Sequence, residues 1–365
     1  MRNPRSADIF CEVIDNYGDA GVCWRLARAL SQMGLEVTLW INDPGRLARL
    51  RPAINTGLDS QPVDGFVLRH WRDDPRVGAD IVISGFGCRL PEATLQALAA
   101  RTPKAVWINL EYLSAEPWVE SSHRLPSPHP RLPLVQHFYF PGFTPRTGGL
   151  LREAGLLQTR AAFDEGARRE FLKRLGITLP AASALVSLFC YPSAPIDALF
   201  NALRDGPPVL CVVPEGVTPL APSAGEFRTE GSLTLQGLPF LEPDDYDRLL
   251  WSCDLNFVRG EDSASRAQWS GQPFVWQLYP QQQRAHLNKL EAFLSLYTEG
   301  LGEPAASAFR ASALAWNGEE GCTFSWPGLL QSLPELKAHG RRWRSRLENA
   351  GDLAYGLVEF AREIG

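Results

Sequence analysis

Short runs rich in β-branched and aromatic residues alternate with stretches of helical period along most of the chain. In the first half the strand-like runs are IFCEVI (9–14), VTLWI (37–41), FVLRHW (66–71), DIVISGF (80–86) and AVWINL (105–110). Between the first two, Val22, Leu26, Ala29, Leu30 and Met33 recur at helical spacing and share one face. Such alternation predicts βαβ units on a parallel sheet. Residues 111–150 break it with Pro- and Gly-rich stretches such as HRLPSPHPRLP and FPGFTPRTGG, which predict long ordered loops and a changeover between domains. The TGG at 147–149 reads as a hinge, since paired glycines tolerate large backbone changes.

A second alternating series follows. SALVSLF (183–189) leads to a helical run from about Ile196, then PVLCVV (208–213), SLTLQGL (232–238) and the helical DDYDRLLWSC (244–253). DLNFVRG (254–260) reads as a strand, with a helix opening at Glu261–Ser263, then the strand PFVWQLY and a long helix from near Gln281. The C-terminal LKAHGRRWRSRLENAGDLAYGLVEFAREI is helical with few breaks. The expected fold is α/β: doubly wound domains at 1–152 and 153–340, and a C-terminal helix at 341–365 packing back on the first domain.

Composition narrows the function. A length of 365 residues fits two domains, and 45% hydrophobic residues suffice for two cores. A net charge of −5 argues against a generic electrostatic grip on nucleic acid. No run approaches 18 apolar residues and MRNPRSADIF lacks the apolar core of a signal peptide, so a cytoplasmic protein without a membrane span is expected. The seven cysteines are scattered, mostly in apolar runs, and read as buried free thiols. The six histidines form no ligand pair, so no metal is expected.

Candidate chemistry gathers at two strand-to-helix turns. In VIDNYGDAGVCWRLARAL (13–30) the corner where such folds cradle a phosphate carries two carboxylates, Asp15 and Asp19. Asp19 suits a helix N-cap and Asp15 an Asx turn; equally, both sit where a cation would be attracted and an acceptor could be deprotonated. GDAG is not a dinucleotide fingerprint, which disfavours a nicotinamide oxidoreductase. In LNFVRGEDSASRAQW (255–269), Arg259, Ser263 and the exposed N–H groups of a helix start make an anion site, with Glu261 awkward for a phosphate but suited to a ribose hydroxyl. The alternative is a capped helix with an acidic first turn. In FCYPSAP (189–195), Phe189 and Tyr191 either sandwich a base or serve as core and turn. An acidic wall facing a phosphate-friendly wall is what a two-domain glycosyltransferase needs.

The blocks DIFCEVIDNYGDAGVCWRLARAL, NLEYLSAEPWVESSHRLPSP, YFPGFTPRTGGLLRE, FCYPSAPIDAL, DYDRLLWSCDLNFVRGEDS and PFVWQLYPQQ, in order and spanning the chain, resemble the bacterial protein-arginine rhamnosyltransferases. The resemblance implies a GT-B fold, two Rossmann-like domains facing a cleft, inverting transfer from dTDP-β-L-rhamnose to an arginine of translation elongation factor P, and no required metal. It implies that the first domain binds the acceptor and the second the nucleotide sugar. Carried over by position, Asp19 is the catalytic aspartate and Asp15 its companion. Glu261, counted among the catalytic residues as well as the donor-binding ones, and Asp262 are the acidic pair, Arg259 and Ser263 flank the diphosphate, and Phe189 and Tyr191 hold thymine. Three positions depart from the family pattern: the ASRAQW after the acidic pair, Gln277 in place of a histidine, and Pro243 in place of a base-contacting glutamine. Base contacts near 243 are therefore left unassigned. The loops at 111–125, with Tyr112 and Trp118, either dock the protein acceptor or pack internally. A GT-B enzyme with a small-molecule or lipid-linked acceptor, and a nonenzymatic module binding nucleotide sugar or elongation factor P, are the competing readings.

Overall fold

The computed structural model describes residues 3–15, 17–71 and 78–365. Its elements in chain order begin with β1 (Ser6–Cys11), α1 (Gly18–Gln32), β2 (Glu36–Ile41), α2 (Pro44–Leu50), β3 (Ser60–Val63), β4 (Phe66–His70) and β5 (Ile81–Gly85). They continue with α3 (Glu92–Ala100), β6 (Val106–Leu110), α4 (Trp118–Ser122), β7 (Pro126–Pro128), β8 (Val135–Tyr139), α5 (Leu156–Ala162) and α6 (Glu165–Arg174). Next come β9 (Ala184–Leu188), α7 (Ile196–Arg204), β10 (Val209–Pro214), β11 (Phe227–Glu230), β12 (Leu233–Leu238), α8 (Pro243–Ser252) and β13 (Leu255–Arg259). The last are α9 (Gly260–Ser270), β14 (Phe274–Gln277), α10 (Ala285–Tyr297), α11 (Glu303–Trp316), α12 (Trp326–Ala350) and α13 (Leu353–Ile364). Two compact units result: Met1–Leu156 with Leu347–Gly365, and Leu157–Arg346.

The first unit holds a sheet of order β3-β4-β2-β1-β5-β6-β8-β7, parallel except for the antiparallel edge pairs β3·β4 and β7·β8. The second holds β11-β12-β10-β9-β13-β14, parallel except for the edge pair β11·β12. β5, β6, β9 and β10 are buried at every residue. That is why they read as unbroken apolar runs: a parallel sheet is covered on both faces. In each sheet the chain winds outward to one side and then returns to continue on the other. The switch falls between β1 and β5 in the first unit and between β9 and β13 in the second. Open α/β sheets bind ligands at the carboxyl ends of the strands at such a switch.

One face of the first sheet, with Ile9, Leu39 and Ile83, packs on α1 through Cys23, Leu26, Ala27 and Leu30. The other gathers Phe10, Trp40, Val82 and Trp107 with Leu95 and Leu98 of α3. α13 adds Leu353, Leu357, Val358 and Phe360 to the first of these cores. The second unit closes Leu185, Leu210 and Leu238 against Phe171 and Leu249.

Several boundaries differ from expectation. β1 ends at Cys11 rather than Ile14. The stretch 111–150 is not only loop: it contains α4, β7 and β8, short elements that prolines delimit. The helix expected from Gln281 starts at Ala285, after a 3₁₀ turn at Gln282–Arg284. The C-terminal helix is interrupted at Gly351, whose φ of 118° ends α12, and Asp352 then caps α13 by accepting from the Tyr355 N–H at 2.8 Å. The glycines at 148–149 are not free to act as a hinge. A Cβ on Gly148 would lie 2.4 Å from the Tyr139 ring and one on Gly149 would lie 2.5 Å from the Gly351 carbonyl oxygen, so both mark close backbone approach.

α1 is anchored through Arg25, 1% exposed, which donates to the Glu153 carboxylate at 2.8 Å; Glu153 is itself 7% exposed. Removing one member of such a pair strands a buried charge. Glu153→Ala is expected to destabilise the protein by about 3–5 kcal/mol. Urea unfolding followed by circular dichroism checks this, and an unchanged midpoint would contradict it.

Candidate active site

The acidic corner forms at the carboxyl end of β1. Gly18 N–H donates to the Asp15 carbonyl at 2.7 Å, closing a turn that opens α1. Gly18 suits this close approach, because a Cβ there would sit 2.5 Å from an Asp15 carboxylate oxygen and the Asp15 side chain would have to move. Asp19 is not the N-cap that its sequence position suggested. The N-cap is Tyr17, with no side-chain cap bond, and Asp19 lies inside the first turn of α1. Its carboxylate instead folds back over the loop, where Oδ2 accepts from the backbone N–H groups of Ile14 and Asp15, both at 2.8 Å. Asp19 is 0% exposed and Asp15 7%.

Burial therefore sets the character of Asp19. Desolvation pushes its pKa above the usual carboxylate range; the two backbone donors oppose this, and the Asp15 charge adds to the upward shift. Among the described residues Oδ1 is buried with no hydrogen-bond partner, although the Tyr112 hydroxyl is near enough to favour the charged form. Tyr112 stacks on Phe86, with centroids 4.6 Å apart. Phe86, directly after β5, is held at φ 58°, a left-handed conformation that a bulky residue adopts only under constraint. Position 112 thus belongs with the acidic corner, whereas Trp118 is 51% exposed and edge-packed on Phe140.

The second corner lies at the carboxyl ends of β9 and β13. Gly260, at φ 61°, lets the chain leave β13 and enter α9 directly, with Arg259 as N-cap. The Arg259 guanidinium sits 4.3 Å over the Phe189 ring and 4.9 Å over the Tyr191 ring, and Nη1 donates to the Cys190 carbonyl at 2.5 Å. The three residues expected at the nucleotide therefore form one cluster. Ser263 differs from expectation: its hydroxyl donates to the Arg259 carbonyl and accepts from the Arg259 N–H at 3.1 Å. It fastens the N-terminus of α9, so its own proton is not available to a phosphate. Glu261 and Asp262 occupy the first turn of that helix.

Three partners escaped sequence reading. Lys289, on α10, donates to the Glu261 carboxylate at 2.9 Å. Gln277 accepts from the Tyr191 N–H at 2.8 Å and so fixes the backbone beside that ring. Tyr246 lies 5.6 Å from Phe189 ring to ring. Its spacing within α8 gave no hint of this, since Tyr246 reads as an ordinary helix residue. Among the described residues, no group of three or more His, Cys, Asp or Glu could hold a metal ion. Among them, too, no helix is long and apolar enough to cross a membrane.

Residues 7–362 match the family model described as elongation factor P (EF-P) rhamnosyltransferase EarP. The chain is 45% identical to a protein-arginine rhamnosyltransferase of Pseudomonas putida, over 97% of this chain and 98% of that one. It is 37% identical to the protein of that name from Shewanella oneidensis, over 98% and 97%. Among solved structures, one described as the structural basis for EarP-mediated arginine glycosylation of translation elongation factor EF-P superposes with a TM-score of 0.68. That match has 35% identity and covers 99% of this chain and 100% of the other. A spinosyn rhamnosyltransferase solved with thymidine diphosphate shares the fold at a TM-score of 0.52 and 13% identity, over 96% and 98%. With two doubly wound sheets of the GT-B class and a family match over nearly its whole length, the chain belongs to the EF-P rhamnosyltransferase EarP family.

Proposed function

We propose that this protein transfers L-rhamnose from dTDP-β-L-rhamnose, with inversion at the sugar carbon, to an arginine side chain of translation elongation factor P. The observation that carries the reading is the full-length family match together with a buried, basic carboxylate, Asp19, at the first topological switch.

The acceptor sets the physical problem. A guanidinium stays protonated at neutral pH and its nitrogen lone pairs are delocalised, so it is a poor nucleophile. In this reading Asp19 receives the guanidinium through Oδ1, aligns one terminal nitrogen and accepts its proton as the nitrogen–carbon bond forms. The carbon–oxygen bond to the diphosphate breaks in the same displacement, and its electron pair leaves with dTDP. Asp15 holds a second edge of the guanidinium or orients the loop. The raised pKa of Asp19 favours this role, since a carboxylate with greater proton affinity is a stronger base.

The second unit supplies the donor site. Thymine stacks against the Phe189 and Tyr191 cluster, and Arg259 with the N-terminal N–H groups of α9 meets the charge of the leaving diphosphate. Glu261 accepts hydrogen bonds from the sugar hydroxyls, while Asp262 completes the acidic pair. Ser263 serves by holding Arg259 at the helix start. No metal is required in this scheme.

Purified protein mixed with dTDP-β-L-rhamnose and elongation factor P should add one deoxyhexose to one arginine of the acceptor, as read by mass spectrometry. An unmodified acceptor with intact enzyme would overturn the proposal. Asp19→Asn should lower the rate by about 10²–10⁴-fold, the usual contribution of a general base, with donor binding retained. The same substitution should leave the melting temperature at pH 7 unchanged or higher. The folded state binds the Asp19 proton more tightly than the unfolded chain, so the ionised group costs stability at neutral pH; that cost shrinks as pH falls below the raised folded-state pKa and is gone only below the unfolded-chain value. A clear drop in melting temperature would count against a strained carboxylate. Finally, kcat should rise with pH through a single ionisation above the ordinary aspartate range and lose that limb in Asp19→Asn.

A further inference from the structure

Beyond the residues already assigned, α10 supports the second corner. This helix opens after two consecutive residues in left-handed backbone, Gln283 at φ 54° and Arg284 at φ 57°. Neither is a glycine, so the turn holds its shape against local preference. One and a half turns later the helix presents Lys289, whose side chain is 14% exposed, to the Glu261 carboxylate, itself 11% exposed, at 2.9 Å. The ammonium also lies 5.9 Å over the Trp276 ring. Trp276 in turn donates its indole N–H to the carbonyl of Gly260 at 2.8 Å, the residue on which the turn into α9 depends. Lysine, ring and helix start thus form one connected support under Glu261.

A salt bridge this well shielded does more than a surface pair. The ammonium in hydrogen-bond contact fixes one of the Glu261 carboxylate oxygens, which restricts the rotamer. We infer that Lys289 is a positioning residue for sugar transfer: it holds the Glu261 carboxylate aimed, so that it can grip the hydroxyls of the donor sugar. The inference rests on the assignment of Glu261 to the sugar given above. It concerns the sugar, not the nucleotide, so the two halves of the donor should respond differently.

The test is a set of variants assayed with dTDP-β-L-rhamnose and elongation factor P, alongside calorimetric binding of dTDP alone. Lys289→Met should reduce kcat on the order of tenfold to a hundredfold, the value of one charge-assisted hydrogen bond. Its affinity for dTDP should stay within about threefold of wild type, because the nucleotide contacts are untouched. Lys289→Arg, which keeps the cation, should recover most of the rate. In a Glu261→Gln background Lys289→Met should add less than about twofold, as residues acting through one another are not additive. Wild-type turnover in Lys289→Met, or an equal loss of dTDP affinity, would overturn the inference; the second outcome would place the lysine on the diphosphate. If Glu261→Gln itself turns over at the wild-type rate, the assignment of Glu261 fails and takes the inference with it. A crippled Glu261→Gln beside an active Lys289→Met removes the inference alone. Failure of Lys289→Arg to recover any rate in a folded protein would show that packing, not charge, is what the position supplies, and would also overturn it.

Discussion

The first unit is organised around a carboxylate that water does not reach. Moving an ionised group out of water is expensive unless hydrogen bonds replace the lost hydration. Asp19 recovers part of that loss from two backbone N–H groups, Ile14 and Asp15, and from its place in the first turn of α1, where the helix dipole favours negative charge. These same bonds shape the loop. Because the side chain reaches back over the segment that precedes it, the loop after β1 and the aspartate position each other. The proposed base is thus preorganised by its own neighbours in sequence.

In the proposed reaction the second unit meets the mirror requirement, stabilising negative charge that appears on departure. Its means are a helix start, an arginine and two aromatic rings, brought together from the ends of β9 and β13. Two charges in this corner are held by protein contacts. Arg259 is stacked and bonded to the Cys190 carbonyl, and Glu261 is paired with Lys289. Such pairing limits how far these side chains must reorganise when a ligand arrives, and that is the condition under which electrostatic stabilisation is most effective.

Much of this was legible in the residues. Fully buried parallel strands announce themselves as apolar runs, so β1, β2, β5, β6, β9, β10 and β13 could be read, as could the two turns that carry the chemistry. What could not be read shares a physical cause. The edge strands β3, β7 and β11 are short and largely exposed, with Pro62, Pro126 and Pro128 among their residues, so neither period nor composition marks them. The N-cap assignment of Asp19 was reasonable by residue type, but residue type does not say whether a carboxylate turns toward the helix or toward the loop. Lys289 lies 28 residues from Glu261, and on α10 it looks like any solvated lysine. Its pairing is decided by the turn at 283–284, whose left-handed residues no propensity would anticipate. Ser263 illustrates the same limit: a serine at a helix start suggests a phosphate ligand, while the fold uses it to fasten Arg259.

The arrangement at Asp19 also explains why charge alone does not define this position. The carboxylate must reach Ile14 and Asp15 from inside the first turn, in a space with no exposed surface, while a Cβ at Gly18 would crowd the Asp15 carboxylate. A glutamate would carry the same charge on a longer arm. Its extra methylene has no void to enter in a close-packed site, and the additional rotatable bond would have to be frozen as well. Either its oxygens would overshoot the two N–H donors or the loop would open to accept them, and in both cases the other oxygen would shift away from the proposed acceptor. The native state therefore carries a destabilising ionised aspartate, with the strained Phe86 nearby, and in the proposed reaction the reach of the shortest carboxylate side chain is what would set the base against its acceptor.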